Sequence, residues 1–190
     1  MVNPVWFAFL GLLALERLFE LWLSRRNARL AVAQGAVETG QRHFAVMKAV
    51  HTAFLFACAA EVLWLRRPWP GSLGWAALGV ALLAQGLRYW AIATLGPRWN
   101  VRILVLPGTA PVTAGPYRFV RHPNYVAVAI ELFAVPIAHG AWLTALVFTA
   151  ANAALLAVRI RAEERALGAA YGEAFAGRPR FLPRIGGGGG

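Results

Sequence analysis

The chain has 190 residues, 59% of them hydrophobic, and its 19 Lys and Arg against 8 Asp and Glu leave a formal net charge of +11. A soluble domain averages roughly 45–50% apolar residues; here the excess falls in blocks, which points to a membrane protein built as one compact bundle. The positive charge lies at the ends of those blocks and forms no single soluble stripe, so it excludes a nucleic-acid reading in favour of a bilayer with anionic headgroups, and the lone Cys58 excludes an internal disulfide.

The first predicted span runs from about Pro4 to Leu23. It lacks the basic leader of a cleaved signal and carries Glu16, Arg17 and Glu20, so it reads as a retained helix. The second runs from about Phe44 to Leu65 and ends before Arg66-Arg67-Pro68; the third runs from about Leu73 to Leu95 and stops at Gly96-Pro97. The fourth, Tyr125 to Ala138, has about 14 residues against the roughly 20 of a full crossing, and Pro136 breaks it near its end. After His139-Gly140 a fifth runs from Ala141 to about Val158 and continues as a polar amphipathic helix to about Phe175. The predicted fold class is therefore all-α: a polytopic bundle of about five transmembrane helices, one domain over residues 1–185, with Gly186–Gly190 as a flexible tail.

The arginines test that count. Five spans put Arg25, Arg26, Arg29, Arg42, Arg98, Arg102, Arg118, Arg121, Arg159, Arg161, Arg165, Arg178, Arg180 and Arg184 on one side and only Arg66 and Arg67 on the other. This bias predicts an outside N-terminus and a cytoplasmic C-terminus. Each span then places a polar side chain roughly 5–11 Å below the cytoplasmic surface at 1.5 Å per residue: Glu16, Arg17 and Glu20 in the first, His51 in the second, Arg88 in the third, Glu131 in the fourth and Asn152 in the fifth. Ionisable groups at such depth face the bundle interior, either pairing to hold helices together or lining a cavity. Glu61, near the opposite end of the second span, stands apart.

The third loop carries Gly115-Pro116-Tyr117-Arg118-Phe119-Val120-Arg121-His122-Pro123-Asn124-Tyr125, and Glu163-Glu164 follow some forty residues later. Pro123 keeps His122 out of helical geometry and suits the first turn of the fourth span. His122 and Tyr125 thus sit at a helix N-terminus, where free amides favour an anion such as a carboxylate. Glu163-Glu164, returning on the last helix, suit an ammonium or ribose hydroxyls. Each signal alone is common; a solvated Glu-Glu face and a helix-start Pro need no ligand.

Together, Gly115, Tyr117, Arg121, His122, Pro123 and Tyr125, then Glu163, Glu164 and Leu167, then Gly168 and Tyr171, resemble the signature of the isoprenylcysteine carboxyl methyltransferase family of integral membrane enzymes. The tail Arg178-Pro179-Arg180-Phe181-Leu182-Pro183 is similar to that family's ending. The aromatic residue that often precedes Gly168 in the family is absent. The resemblance implies S-adenosylmethionine as methyl donor, bound at the cytoplasmic edge by Tyr117, Arg121, His122, Pro123, Tyr125, Glu163 and Glu164, with no metal. A narrower likeness, in Glu16-Arg17, Glu20-Leu21, Arg25-Arg26-Asn27, Gly35-Ala36, Glu38, His43, His51, Trp99-Asn100, Pro123-Asn124-Tyr125 and Glu131, is to a bacterial subgroup similar to methyltransferases associated with type III polyketide synthases, which methylate alkylpyrones or alkylresorcinols; it implies a bacterial inner membrane.

The expected reaction is methyl transfer to an oxygen of a lipophilic acceptor, the carboxylate or hydroxyl of an alkylpyrone- or alkylresorcinol-type lipid or of an isoprenoid lipid such as a prenylated cysteine. Arg88 and Glu131 are its expected catalytic residues: Arg88 to position an oxyanion, and Glu131 to orient that Arg or accept a phenolic proton. Glu16, Glu20, His51, Trp99, Asn100 and Asn152 are the expected acceptor-binding residues. The expected partners are the acceptor and the bilayer, with no nucleic acid. A phospholipid amine acceptor, a nicotinamide-dependent membrane reductase and a non-enzymatic membrane scaffold remain alternatives.

Overall fold

Pro4 fills the first helical position and the Asn3 side chain accepts a hydrogen bond from the Val5 amide, so α1 (Pro4–Ala33) begins where the sequence places it. The computed structural model describes residues 3–182. Pro183, Arg184, the glycine tail and the side chains of Arg42 and His43 lie outside the described residues. The other helices are α2 (Gln41–Trp64), α3 (Ser72–Leu95), α4 (Pro123–Ile137) and α5 (Trp142–Ala174). The all-α bundle expected from the sequence is the architecture observed.

Two features differ in detail. Helix α1 does not stop at Leu23 but runs on to Ala33; polarity ends the apolar stretch there, whereas Arg, Ala and Leu remain good helix formers. A short antiparallel ribbon pairs β1 (Val37–Thr39) with β2 (Ile103–Val105), with Glu38 opposite Leu104. Three residues per strand carry too little alternation to be read from sequence. The ribbon ties the α1–α2 connection to the long α3–α4 loop, and a 3.2 Å Arg102–Glu38 ion pair joins its two sides.

Three helices are long and apolar enough to cross a membrane: Phe44–Trp64, Ser72–Arg98 and Trp142–Ala174. Only 22–39% of their most apolar stretches is buried inside the protein, so the remainder, including Phe56, Trp64, Leu83 and Leu146, faces lipid. Among the five spans expected, α4 is a shorter apolar helix and α1 carries too much charge to qualify by composition. Helix α4 packs between α3 and α5, and α5 packs in turn on α2. Trp6, Leu10 and Leu13 of α1, Phe54, Cys58 and Val62 of α2, and Leu132 and Val135 of α4 form the core.

The end of the bundle away from the sequence motif is fastened by buried polar contacts. Pro136 has no N–H, and α4 frays into a turn after it. The Val135 carbonyl accepts from Trp6 Nε1 at 2.8 Å, and the buried His139 Nε2 accepts from the Asn3 amide at 2.9 Å. Glu61 finds its purpose here: its carboxylate accepts from the Leu143 and Thr144 amides at 3.2 and 2.7 Å and from the Thr144 hydroxyl at 2.8 Å. It therefore caps α5 from the side of α2, and Arg67 balances its charge at 2.9 Å.

Helix α5 breaks once, at Gly168, whose φ of 72° and ψ of −163° belong to a region open essentially to glycine alone. The break redirects the last turns so that Tyr171 and Phe175 fold back against Tyr117 and Ala91. Among the described residues, and apart from the neighbouring backbone of its own helix, no atom lies within 4 Å of where a Cβ would stand on Gly168, so Gly168→Ala meets backbone strain without a clash. The expected result is a loss of about 1–3 kcal/mol, read as a lower melting temperature in detergent, with the α2–α5 core unchanged.

Candidate active site

A 3-10 turn over Gly115–Arg118 opens the motif. Gly115 has φ of +55°, and a Cβ on it would run into the Thr94 side chain, so the first motif position admits only glycine. The turn buries Pro116 and Tyr117. His122, with φ −128° and ψ 60°, is held outside the helix by Pro123, which starts α4. Its ring stacks on Tyr125 at 5.3 Å, and its Nε2 lies 3.1 Å from Glu164 Oε1. Glu163 and Glu164 are neighbours on α5, about 100° apart around the helix axis, so they reach different partners. The Tyr125 hydroxyl donates to Glu163 and accepts from Arg159 Nε at 2.7 Å. Arg159 also donates to the Val101 carbonyl at 2.6 Å, tying the loop before β2 to α5.

One helical stretch deeper lies a buried ion network. Glu20 accepts from Arg88 Nε at 2.5 Å and Nη2 at 2.8 Å, and from Arg17 Nη1 at 2.7 Å. Arg17 Nη2 reaches both Glu131 oxygens at 3.2 and 3.3 Å, whereas Arg88 Nη1 is 3.9 Å from Glu131. Glu20 is thus the fork partner of Arg88, and Glu131 stands behind both arginines. Gln85 donates to Glu16 at 2.6 Å. The network joins α1, α3 and α4, as the common depth of these residues in the sequence anticipates.

Both groups open onto one cavity of about 1030 Å³. Tyr117, Arg121, His122, Tyr125 and Glu163 line its outer part; Arg17, Glu20, His51, Arg88 and Asn152 line its inner part. Trp99 and Asn100 contribute from the α3–α4 loop. Asn100 is anchored to α1, donating to the Ser24 carbonyl at 2.9 Å and accepting from its hydroxyl at 2.7 Å, while Asn27 donates to the Trp99 carbonyl at 2.8 Å. His51 holds the Met47 carbonyl of its own helix at 2.8 Å. Glu16, Pro123, Glu131 and Glu164 are not among the lining residues and support those that are. Val46, Met47, Leu155, Leu156 and Val158 border a smaller crevice of about 110 Å³ between α2 and α5, which shares Met47, Asn152, Leu156 and Arg159 with the main cavity.

Burial, and then the Glu163 carboxylate, push the Tyr117 phenol well above its ordinary value. Burial and the two carboxylates do the same to Tyr171. Both rings are neutral walls at physiological pH. Burial raises the Glu164 carboxyl, but hydrogen bonds from Arg180 and His122 outweigh it and hold the group below the usual carboxylate range.

Sequence reasoning missed Arg159 and Phe175. Arg159 counts in the sequence as one loop arginine among many; its signal is position, four residues before Glu163 on the same helix face. Phe175, 1% exposed and packed on Tyr171 at 4.5 Å, carries no sequence signal beyond its place at the helix end.

Comparison with known proteins fits this arrangement. Residues 77–169, from α3 through Gly115–Tyr125 to the Glu163-Glu164 pair, match the model of the isoprenylcysteine carboxyl methyltransferase (ICMT) family. The chain is similar to an uncharacterized protein, YpbQ, of Bacillus subtilis (strain 168), 39% identical over 83% of this chain and 94% of that one. It is also similar to an uncharacterized protein of Haemophilus influenzae, 31% identical over 80% of this chain and 88% of that one. With its apolar helices, its motif-bearing cavity and these relatives, the chain belongs to the isoprenylcysteine carboxyl methyltransferase family of integral membrane proteins.

Proposed function

We propose that the protein transfers a methyl group from S-adenosylmethionine to an oxygen of a lipophilic acceptor, with the motif end of the bundle on the cytoplasmic side. The observation that carries this reading is the single cavity shared by the His122–Tyr125–Glu163 group and the Arg88–Glu20–Arg17 network. Its volume stands at the upper end of the roughly 300–1,000 Å³ typical of ligand pockets, room for a cofactor and an acceptor headgroup together. The residues fit the cofactor. Asn124, on the cavity wall, has a buried Oδ1 with no donor among the described residues, which suits an amino group of the ligand. Glu163 faces the cavity as a carboxylate, and Tyr117, Tyr171 and Phe175 supply aromatic surface.

When bound, S-adenosylmethionine supplies a methyl group on a positively charged sulfur. Glu163, fixed by the Tyr125 hydroxyl, complements positive charge in the outer part of the cavity. Arg88 and Arg17, held at fixed positions by Glu20 and Glu131, present guanidinium charge to the acceptor oxygen in the inner part. Glu131 acts on the acceptor through these arginines. Leu21, Met47 and Leu55 line the inner wall, and the α2–α5 crevice continues it toward lipid, a path for an alkyl chain. Catalysis then rests on alignment and on removing water from two opposite charges. An alkylpyrone or alkylresorcinol is the acceptor that the narrower sequence likeness implies.

The test is incubation of the purified protein with radiolabelled S-adenosylmethionine and a panel of lipid extracts, followed by mass spectrometry. The expected result is label on an oxygen of a chain-bearing lipid, absent with His122→Ala. Label on a phospholipid amine, or tight binding of a nicotinamide cofactor with no labelled lipid, overturns the reading.

A further inference from the structure

The residues after α5 do not trail away from the protein. They run back along the motif. Phe175 is packed on Tyr171, and the Arg178 guanidinium lies over the Phe175 ring at 5.1 Å. From there Arg178 donates to the Tyr117 carbonyl at 3.1 Å and accepts from Arg121 Nε at 2.8 Å. The Arg121 amide donates to the Pro179 carbonyl at 3.0 Å, and the His122 amide donates to the Arg180 carbonyl at 3.2 Å. These two amides precede the start of α4 and have no helical acceptor, so the tail supplies the partners that the motif lacks.

Arg180 completes the arrangement. Its Nε donates to Glu164 Oε1 at 3.0 Å and its Nη2 to Oε2 at 2.6 Å, a two-pronged contact across sixteen residues of sequence. The same Oε1 faces His122 Nε2 at 3.1 Å. The fork fixes the plane of the Glu164 carboxylate and so the ring that rests against it. It also offsets the repulsion between Glu164 and the neighbouring Glu163, leaving Glu163 free to serve the cavity. The Arg180 side chain is about half exposed, 51%, so its value to overall stability is small and its effect is local.

We propose that the segment Arg178–Arg180 is a structural part of the cofactor site, and that Arg180 is a positioning residue acting on His122 through Glu164. The inference rests on the function proposed above for its cofactor, but its geometry stands apart from it. The full-length chain in detergent is compared with Arg180→Ala, Arg180→Lys, Glu164→Gln and the Arg180→Ala, Glu164→Gln pair. Two quantities are read: hydrogen exchange at the Arg121 and His122 amides, and S-adenosylmethionine affinity by calorimetry. Arg180→Ala is expected to speed exchange at both amides by about tenfold and to weaken cofactor binding by about five- to tenfold, with Arg180→Lys recovering part of each. Added to Glu164→Gln, it is expected to change cofactor affinity by less than about twofold, because the two side chains act as one unit. Unchanged amide exchange in Arg180→Ala overturns the proposal, and so do fully additive effects of the two substitutions on affinity. If the unaltered protein binds no S-adenosylmethionine, the function proposed above fails, and amide exchange alone still decides the place of the tail.

Discussion

Arg88→Ala is expected to destabilise the protein by about 3–5 kcal/mol, because it removes one partner of a buried pair and leaves the other charged. Glu20 accepts two of its hydrogen bonds from Arg88 and is only 3% exposed. Arg17 alone cannot replace them, since its second nitrogen is already turned to Glu131. A fall in melting temperature in mild detergent measures the loss. Arg88→Lys keeps the charge without the fork and is expected to fall between the two. The pair Arg88→Met with Glu20→Met separates structure from chemistry. Removing both charges recovers much of the stability, while methyl transfer falls sharply because Arg17 alone, held by Glu131 and no longer by Glu20, is left to face the acceptor oxygen. A destabilisation below about 1 kcal/mol for Arg88→Ala would show that the network is hydrated, contrary to its burial.

Glu163→Gln carries the largest expected effect on ligand binding. The amide still accepts from the Tyr125 hydroxyl, so the Arg159–Tyr125 arrangement survives, and only the negative charge is lost. A hydrogen bond or contact to a charged group contributes about 1.5–3 kcal/mol, so S-adenosylmethionine affinity is expected to fall by about 10- to 100-fold. The neutral adenosine portion of the ligand is expected to lose much less. Calorimetry with S-adenosylmethionine and with adenosine distinguishes a charge effect from a collapse of the pocket. Equal losses for both ligands would remove Glu163 from charge recognition.

The sequence and the structure meet unevenly, for physical reasons. Apolar length and the Gly-Pro stops located four of the helices within a few residues, since hydropathy and turn chemistry are local properties. The common depth of Glu20, Arg88 and Glu131 was also legible, because a helix converts residue number into depth at a fixed rise. Pairing was not. Opposite charge at similar depth suggested Arg88 with Glu131, yet the rotation of α1 about its axis gives the fork to Glu20. The short ribbon and the return of Arg178–Arg180 depend on backbone atoms meeting across long separations, which side-chain identity does not encode. Glu61 stood out in the sequence as an unexplained charge, and only the start of α5 beside it reveals a helix cap.

That cap bears on how the chain is assembled during synthesis. Helix α2 leaves the ribosome well before α5, and it carries into the bilayer a carboxylate whose α5 donors are not yet made. Until residues 143–144 arrive, Arg67 is its partner at that end. The α4–α5 hairpin, whose first arm is too short to cross by itself, then docks onto a prepared receptor, so the late-inserted half of the enzyme is seated by a charge set in place by the early half.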